Sequence, residues 1–347
     1  MKTNITGISG SRVAYYAAKE IAKNKKTLII VSRADVATRL RDDISFFVQD
    51  RAIFVMPEED ELQIIYEAKD SNSLIQRIRA IDAITSGDKS VVIAPISAAL
   101  KPLQPAQRFT DSIINLEMGM RIDPAELRRK LVALGYVAAS VAASEGEFSA
   151  RGGIVDIFAP NHVDPVRLEF FDDEIDSIRY FDAESQISLE NADYVRICPA
   201  AEFVPTEEER LIALTKIIGE YDDRLARLSS ENKDGKLSDG RIDRIEELKD
   251  RIAEMFTECT NVQILANYLK YFNIKDERIW DYLEYADDVN LMIYDPNRIE
   301  TEVPEYEEKS DLNKLFSRDL IVFTPFPEPI KWIEEFGRVV NVTSRQI

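Results

Sequence analysis

The first third of the chain alternates short apolar runs with segments of helical period. The apolar runs between residue 6 and about residue 115 are Thr27–Ser32, Ala52–Met56 and Ser90–Ala94. Continuous apolar runs of this length are typical of strands that are buried on both faces of a parallel sheet. We therefore predict three parallel strands in this region.

The segments between these runs carry apolar residues three and four positions apart, which places them on one face of a helix. These residues are Val36, Leu40, Ile44 and Phe47 in one segment and Leu74, Ile78 and Ile81 in the next. Strands that alternate with helices predict an α/β layer with right-handed crossovers.

A helix with clear end signals separates this region from one of period two. Asp123 is a suitable N-cap, Pro124 suits the first helical position, Glu126 is placed for a capping box, and Gly135 ends the helix. Beyond it we predict an antiparallel meander with a turn at Asp172-Asp173. Its strands are Gly153–Phe158, Val166–Phe171 and Ile175–Phe181.

From about residue 205 the sequence becomes helical and charged. An apolar stripe predicts a helix packed on a core, and Ser229–Gly240 is polar enough for a loop or linker. The stripe consists of Ile242, Ile245, Leu248, Ile252 and Met255. Strand-like runs return at Val289–Tyr294, Asp319–Thr324 and Val339–Val342.

Composition narrows the class of protein. The chain has 347 residues, 45% of them apolar, which predicts two or three globular domains. Its 63 acidic residues outnumber 44 basic ones, and a net charge of −19 disfavours direct binding to nucleic acid. Two cysteines and a single histidine, His162, cannot form a zinc cluster and fit a reducing cytoplasm. We expect neither a membrane span nor a signal peptide.

A glycine-containing loop precedes the first predicted helix, where a phosphate-binding loop would lie. The loop and the start of the helix include Gly7, Gly10, Ser11, Arg12, Val13 and Ala14. A working loop of the form GxxxxGK[ST] needs a lysine for the phosphates and a hydroxyl for Mg²⁺. Counted from Gly7, these two positions hold Val13 and Ala14. We predict a degenerate nucleotide site, with weak anion binding at the helix N-terminus as the alternative.

The most specific signal covers about thirty residues in two blocks, GEFSARGGIVDIF at 146–158 and PVRLEFFDDEIDSIRYFD at 165–182. These blocks resemble a signature shared by UvrB and the transcription-repair coupling factors. UvrB keeps its phosphate-binding loop and has a tyrosine-rich hairpin, and the chain matches neither feature. The resemblance is therefore nearer to the coupling factors. It departs after Gln186, where Ile187 stands in place of the family's usual arginine.

The resemblance implies an α/β fold, with a degenerate P-loop, helicase-like parallel sheet domain and an inserted small α+β domain built on an antiparallel sheet. It implies three pieces: 1–115, 116–204 for binding UvrA, and 205–347 completing the first piece. The module would recruit UvrA to stalled RNA polymerase in nucleotide excision repair and would itself lack ATPase activity. RNA polymerase, double-stranded DNA, ATP and Mg²⁺ would be bound by further domains of the full-length protein.

Three positions match the family's contact residues for UvrA, namely Arg151, Arg167 and Phe171. Strand alternation points Val166, Leu168 and Phe170 to the core and Arg167, Glu169 and Phe171 outward. The alternative for each arginine is an ion pair with a neighbouring carboxylate such as Glu169 or Asp156. An exposed phenylalanine beside an arginine is typical of interface hot spots.

Other chemistry is less favoured. The acidic residues Asp172, Asp173, Glu174 and Asp176 lack the spacing of a Ca²⁺ loop and predict a solvated turn. His162 lies in a loop beside Pro160 and is an improbable catalytic base. Two rival functions stay open, an ATP-dependent UvrB-like enzyme and a single-strand DNA binder.

Overall fold

A computed structural model describes residues 1–24, 26–58, 71–231, 240–258, 262–303, 309–333 and 335–342. The strands, numbered along the chain, are β1 Thr3–Thr6, β2 Lys26–Val31, β3 Ala52–Val55, β4 Ser90–Pro95, β5 Ile114–Glu117, β6 Val137–Ala138, β7 Glu147–Arg151, β8 Ile154–Ile157, β9 Val166–Phe171, β10 Glu174–Phe181, β11 Ser188–Ala192, β12 Tyr194–Ile197, β13 Val289–Tyr294, β14 Ile321–Thr324 and β15 Arg338–Asn341.

The helices are α1 Ser11–Ile21, α2 Ala34–Phe47, α3 Ser71–Thr85, α4 Ile96–Leu100, α5 Ala106–Asp111, α6 Pro124–Ala133, α7 Glu207–Glu231, α8 Gly240–Glu258, α9 Pro296–Glu302 and α10 Lys309–Ser317. Two 3₁₀ helices cover Val262–Tyr271 and Asp281–Tyr285. Among the described residues, no helix combines the length and apolar composition needed to cross a membrane.

Residue contacts divide the chain into two compact units. Unit 1 comprises 1–111, 159–163 and 277–347, and unit 2 comprises 112–158 and 164–276. The small antiparallel part is thus inserted into a discontinuous α/β unit. The sequence assigned all of 205–347 to the piece that completes the first domain. The contacts instead group 205–276 with unit 2 and leave 277–347 in unit 1.

Unit 1 is built on a seven-stranded parallel sheet in the order β15-β1-β14-β13-β2-β4-β3. Every residue of the central strands β2 and β4 is buried. Burial on both faces explains why these strands are continuous apolar runs without alternation. The predicted parallel α/β layer is confirmed, and the strand-like runs near the end of the chain are part of the same sheet.

Helix α2 buries most of its predicted apolar face. Leu40 is 5% exposed and Ile44 is fully buried, and both belong to the core beneath β2 and β4. Phe47 differs from the expectation, because its side chain is 43% exposed. The helix ends at Phe47, and the next residue, Val48, takes an extended conformation and is buried instead.

Unit 2 contains a six-stranded sheet in the order β11-β10-β9-β8-β7-β6. Strands β7 to β11 form the antiparallel meander that the period of two predicts, and β6 adds a short parallel edge. A separate ribbon pairs β5 with β12. The inner face of the sheet is closed by residues that include Val155, Val166, Leu168 and Ile178, each at most 1% exposed.

Helix α6 begins and ends where the sequence predicts. The Asp123 side chain accepts a hydrogen bond from the Ala125 backbone N–H at 2.7 Å, and Pro124 takes the first helical position. Gly135 follows the helix with φ of 89°, a left-handed conformation that favours glycine. A Cβ atom at this glycine would lie 2.7 Å from the Ala201 Cβ atom.

The helical part of unit 2 has a core of its own, to which α7, α8 and the first 3₁₀ helix contribute. It contains Phe203, Ile217, Ile252, Phe256 and Phe272. The predicted stripe on α8 is only partly buried, since Ile245 and Ile252 are 8% exposed but Leu248 is 40% exposed. Most of the predicted loop Ser229–Gly240 lies outside the described residues, as does Cys259.

Replacing Gly135 with alanine should destabilise unit 2, because the side chain meets both an unfavourable φ and the Ala201 side chain. We expect a loss of about 2–3 kcal/mol in the free energy of unfolding. Urea unfolding followed by circular dichroism measures this loss. Gly119→Ala is the matched control, because Gly119 has a φ of 83° but nothing within 4 Å of an added Cβ atom. The two variants losing equal stability would contradict the steric part of the argument.

Candidate partner-binding face and glycine loop

The outer face of the antiparallel sheet is defined by two rows of cross-strand neighbours, which lie on the same side of a sheet. In the first row Arg151 of β7 is opposite Ile154, Ile154 is opposite Glu169 of β9, and Glu169 is opposite Ser177 of β10. A second row runs from Ser149 through Asp156 and Arg167 to Arg179. The short strands thus place mostly polar and charged residues in register, of which Ser149 and Asp156 are buried, together with the partly exposed Ile154.

Phe171 ends β9 and is 81% exposed, two residues beyond Glu169 on the same strand. The following turn explains its position, because Asp172 has a φ of 59° and reverses the chain into β10. Asp172 of the turn is exposed and Asp173 is partly exposed. A guanidinium nitrogen of Arg121 lies 3.8 Å from the Asp173 carboxylate. Phe171 thus stands clear of the hydrophobic core, as strand alternation predicts.

Arg167 is held by its own sheet and does not extend freely outward. Its Nε and Nη2 donate hydrogen bonds of 2.7 and 2.9 Å to the two carboxylate oxygens of Asp156. The Asp156 side chain is 2% exposed and that of Arg167 is 19% exposed. The bonds to Asp156 raise the pKa of the Arg167 guanidinium above its usual value. The ion pair, which was the alternative for this arginine, is therefore present.

Two further contacts fix the Arg167 guanidinium. Its carbon lies 4.5 Å from the centre of the buried Phe181 ring, a cation–π distance. Its Nη2 also donates a hydrogen bond of 3.3 Å to the Gln186 side-chain oxygen. Gln186 has a φ of 60°, and sequence reasoning noted only the residue that follows it. Gln186 lies 19 residues after Arg167, and no local sequence pattern predicts a hydrogen bond between the two side chains.

The neighbouring pair on the face joins Glu169 to Arg179. Ser177 adds a hydrogen bond of 2.9 Å from its hydroxyl to the same carboxylate. The hydrogen bond from Arg179, followed by the one from Ser177, lowers the pKa of the Glu169 carboxyl below its usual value. Glu169 is therefore occupied by Arg179 and does not compete for Arg167.

Arg151 differs from Arg167. It is exposed at the end of β7, and within the described part of the chain its side chain has no hydrogen bond or ion pair. Ile154, directly opposite, is 37% exposed. As far as the described residues show, the face offers one unpaired cation, an aliphatic side chain and an aromatic ring, together with two charge pairs that are already formed.

Of the other candidates, the acidic turn does not assemble a metal site in the described residues, where no group of three possible ligands comes together. The turn is solvated, as its spacing predicts. His162 lies in the short segment 159–163 that belongs to unit 1, with its backbone N–H bonded to the Ala159 carbonyl at 3.0 Å.

The glycine loop lies between β1 and α1, where a phosphate-binding loop would. Gly7 has a φ of 84°, and its N–H donates to the Thr324 carbonyl at 3.0 Å. A Cβ atom at Gly7 would lie 2.7 Å from the Val342 carbonyl oxygen. Gly10 precedes α1 without any side-chain cap. The loop is thus tied to the neighbouring strand and its glycine is needed for close backbone packing.

The two positions where a phosphate-binding loop would have its lysine and its hydroxyl residue face the interior of unit 1. Val13 is 1% exposed and Ala14 is fully buried, and both belong to the core under the parallel sheet. Arg12 and Ser11 are exposed. The start of α1 therefore contributes packing at the positions where a nucleotide site would need a lysine and a hydroxyl.

Arg167→Ala should destabilise unit 2, in contrast to Arg151→Ala. Removing Arg167 leaves the Asp156 carboxylate buried without its partner, and breaking such a pair costs about 3 kcal/mol or more. We expect Arg151→Ala to change the free energy of unfolding by about 0.5 kcal/mol or less, because it is exposed. Urea unfolding followed by circular dichroism is suitable, since both tryptophans, Trp280 and Trp332, lie in unit 1. Equal stabilities of the two variants would mean that the pair contributes nothing.

Comparison with known proteins agrees with the two sequence blocks. The family model described as UvrB interaction domain matches residues 114–203. The transcription-repair-coupling factor of Bacillus subtilis strain 168 is 32% identical over 292 residues, which is 84% of the chain and 24% of that protein. The factor of Staphylococcus aureus strain USA300 is 36% identical over 207 residues, 59% of the chain and 18% of that protein.

The chain thus spans about a quarter or less of the length of these relatives. The matched domain covers β5 to β12 and therefore includes the whole antiparallel sheet with Arg151, Arg167 and Phe171. The alignment with the Bacillus subtilis factor covers 84% of the chain, so it reaches well beyond this domain and includes most of unit 1. The chain belongs to the transcription-repair-coupling factors, as their amino-terminal region with a UvrB interaction domain.

Proposed function

We propose that this chain is a recruitment module of transcription-coupled nucleotide excision repair, which binds UvrA through the outer face of the antiparallel sheet. Two findings support this role. The chain belongs to the coupling factors, and residues 114–203 match the family model described as UvrB interaction domain. RNA polymerase, double-stranded DNA, ATP and Mg²⁺ would be bound by other parts of the full-length protein.

The observation that carries the proposal is the 81% exposure of Phe171 on a sheet face that also carries Arg151, which has no ion pair among the described residues. Leaving a phenylalanine in water forgoes roughly 2 kcal/mol of burial free energy. Arginine and aromatic side chains are enriched among the residues that dominate protein interfaces. Phe171 and Arg151 therefore supply the direct contacts with UvrA in this proposal.

Arg167 has a different part in the proposed site. Because Asp156 and Phe181 already fix its guanidinium, it loses little conformational freedom when a partner binds. Its remaining exposed edge can donate to a partner carboxylate or carbonyl without rearrangement. Arg167 thus offers a rigid donor in the row of cross-strand neighbours next to the row of Arg151, four residues before Phe171 on β9.

We also propose that the segment has no nucleotide hydrolysis of its own and needs no cofactor. Val13 and Ala14 occupy the positions of the lysine and the hydroxyl residue and are buried, so a lysine there would point into the core. The parallel sheet is consistent with descent from a helicase-like domain whose nucleotide site decayed. The rival function, an ATP-dependent UvrB-like enzyme, would need a lysine at the position that Val13 occupies.

Phe171→Ala should weaken binding to purified UvrA by about 2 kcal/mol, or roughly thirtyfold, because interface aromatics of this kind are hot spots. The melting temperature should stay unchanged, since the ring does not contact the core. Surface plasmon resonance measures the affinity and circular dichroism the stability. Phe326→Ala is the matched control, because Phe326 is 63% exposed but lies in unit 1. UvrA affinity that survives Phe171→Ala combined with Arg151→Ala would rule out this face.

Titration of the chain with ATP and Mg²⁺ in a calorimeter should give no saturable heat at micromolar concentrations. The physical reason is the absence of a lysine and hydroxyl at the loop. The triple variant Arg12→Gly, Val13→Lys, Ala14→Thr restores the consensus, and we expect it to lose stability because two polar groups enter the core. Saturable micromolar binding by the unmodified chain would favour the UvrB-like enzyme instead.

A further inference from the structure

Four aromatic rings form a continuous cluster on the surface of unit 1, far along the chain from the sheet face in unit 2. The cluster consists of Tyr15 and Tyr16 on α1 and Phe46 and Phe47 at the end of α2. Ring centres are 5.5 Å apart for Tyr15 and Tyr16, 5.7 Å for Tyr15 and Phe47, and 5.2 Å for Phe46 and Phe47. We call these four residues the aromatic cluster.

Most of this cluster is open to solvent. Phe46 is 77% exposed, Phe47 is 43% exposed and Tyr15 is 41% exposed. The opposite face of α1 packs on the core through Val13, Ala14, Ala17 and Ile21. Tyr16 is partly buried against the same core, but core packing does not account for the exposed rings of Tyr15, Phe46 and Phe47. Contiguous exposed apolar surface of this kind marks a site of interaction.

Two cations share the face of α1 that carries Tyr15 and Tyr16, because positions 12, 15, 16 and 19 are three or four residues apart. The Lys19 ammonium lies 4.3 Å from the centre of the Tyr15 ring and 5.2 Å from that of Tyr16. Arg12 lies two turns before Lys19 on the same helix and is exposed. Neither side chain has an ion pair with any described residue.

Two nearby carboxylates, Glu20 and Asp42, are paired with neighbouring cations, whereas Asp43, three residues before Phe46, has no ion pair among the described residues. Glu20 accepts from Lys23 at 2.7 Å, and Asp42 accepts from Arg41 at 2.7 Å. The first 26 residues contain six Lys or Arg and one acidic residue, Glu20. The exposed face of α1 that carries Arg12 and Lys19 is therefore positive in a protein whose total charge is −19.

We propose that the aromatic cluster with Arg12 and Lys19 is a docking surface for an acidic amphipathic helix of a partner protein. Such a helix inserts apolar side chains at positions i, i+3, i+4 and i+7 between the rings, and its acidic residues pair with the two cations. This surface is independent of the proposed binding of UvrA.

Two other occupants fit the geometry less well. Single-stranded nucleic acid needs ring faces on which bases stack, whereas these rings pack edge to face at interplanar angles of 81°, 66° and 86°. The net charge of −19 also repels a polyanion. A second copy joined by a two-fold axis would bring the same patch against itself and oppose like charges.

The test uses a fluorescent helical peptide of about five turns, with leucines along one face and glutamates on the other. We expect saturable binding to the chain that Phe46→Ala weakens by at least about tenfold and Lys19→Glu weakens to a similar degree. Phe46 is exposed, so circular dichroism should show an unchanged melting temperature. Phe326→Ala and Phe171→Ala are the matched controls and should leave peptide binding unchanged.

Three results would overturn the proposal. The first is equal binding of a peptide in which every glutamate is replaced by lysine, and the second is binding that Phe46→Ala does not alter. The third is tighter binding of an oligothymidine, or self-association in sedimentation, that Phe46→Ala abolishes. Loss of UvrA binding in Phe171→Ala with peptide binding retained would separate this surface from the proposed UvrA face.

Discussion

The buried pair of Asp156 and Arg167 is the interaction on which the candidate face depends. An aspartate that is 2% exposed in the middle of a sheet is tolerated only when a cation satisfies both of its oxygens. Arg167 does so with two hydrogen bonds and in turn covers the Phe181 ring. The pair thereby fixes the register of β8 against β9 from the solvent side, while the apolar residues fix it from the inner side.

This pair also divides the charged residues of the face into two groups. Asp156, Glu169 and Arg179 are occupied by partners within the sheet, so they form a rigid and nearly neutral surface. Among the residues that the structure describes, Arg151 has no ion pair, and the Phe171 side chain is 81% exposed. A partner protein would therefore meet a small number of unsatisfied groups on a preformed surface, which lowers the entropy lost on binding.

Unit 1 depends on a different constraint, the closure of its sheet by the far end of the chain. The first strand, β1, is paired on one side with β14 and on the other with β15. Gly7 then packs against the Val342 backbone, which leaves no room for a side chain. The glycine loop is thus retained for packing, and the helix that follows it is used as a core element whose outer side carries the aromatic cluster.

The sequence by itself determined the classes of element and most of their positions. Apolar runs identified the buried strands β2 and β4, and the period of two identified the meander, because side-chain burial in each follows directly from local geometry. Asp123, Pro124 and Gly135 determined a helix from its ends alone. The two sequence blocks identified the family, and strand alternation identified the exposed position of Phe171.

The tertiary structure decided which charges pair and which residues complete each unit. Arg151 and Arg167 are equivalent by motif, but only Arg167 has a carboxylate opposite it on the next strand. Phe47 and Leu248 follow the apolar period of their helices but remain exposed, because a helix end or a missing neighbour leaves them uncovered. Ion pairing and the burial of a side chain depend on residues far apart in sequence. Local periodicity does not show which of those residues will be neighbours.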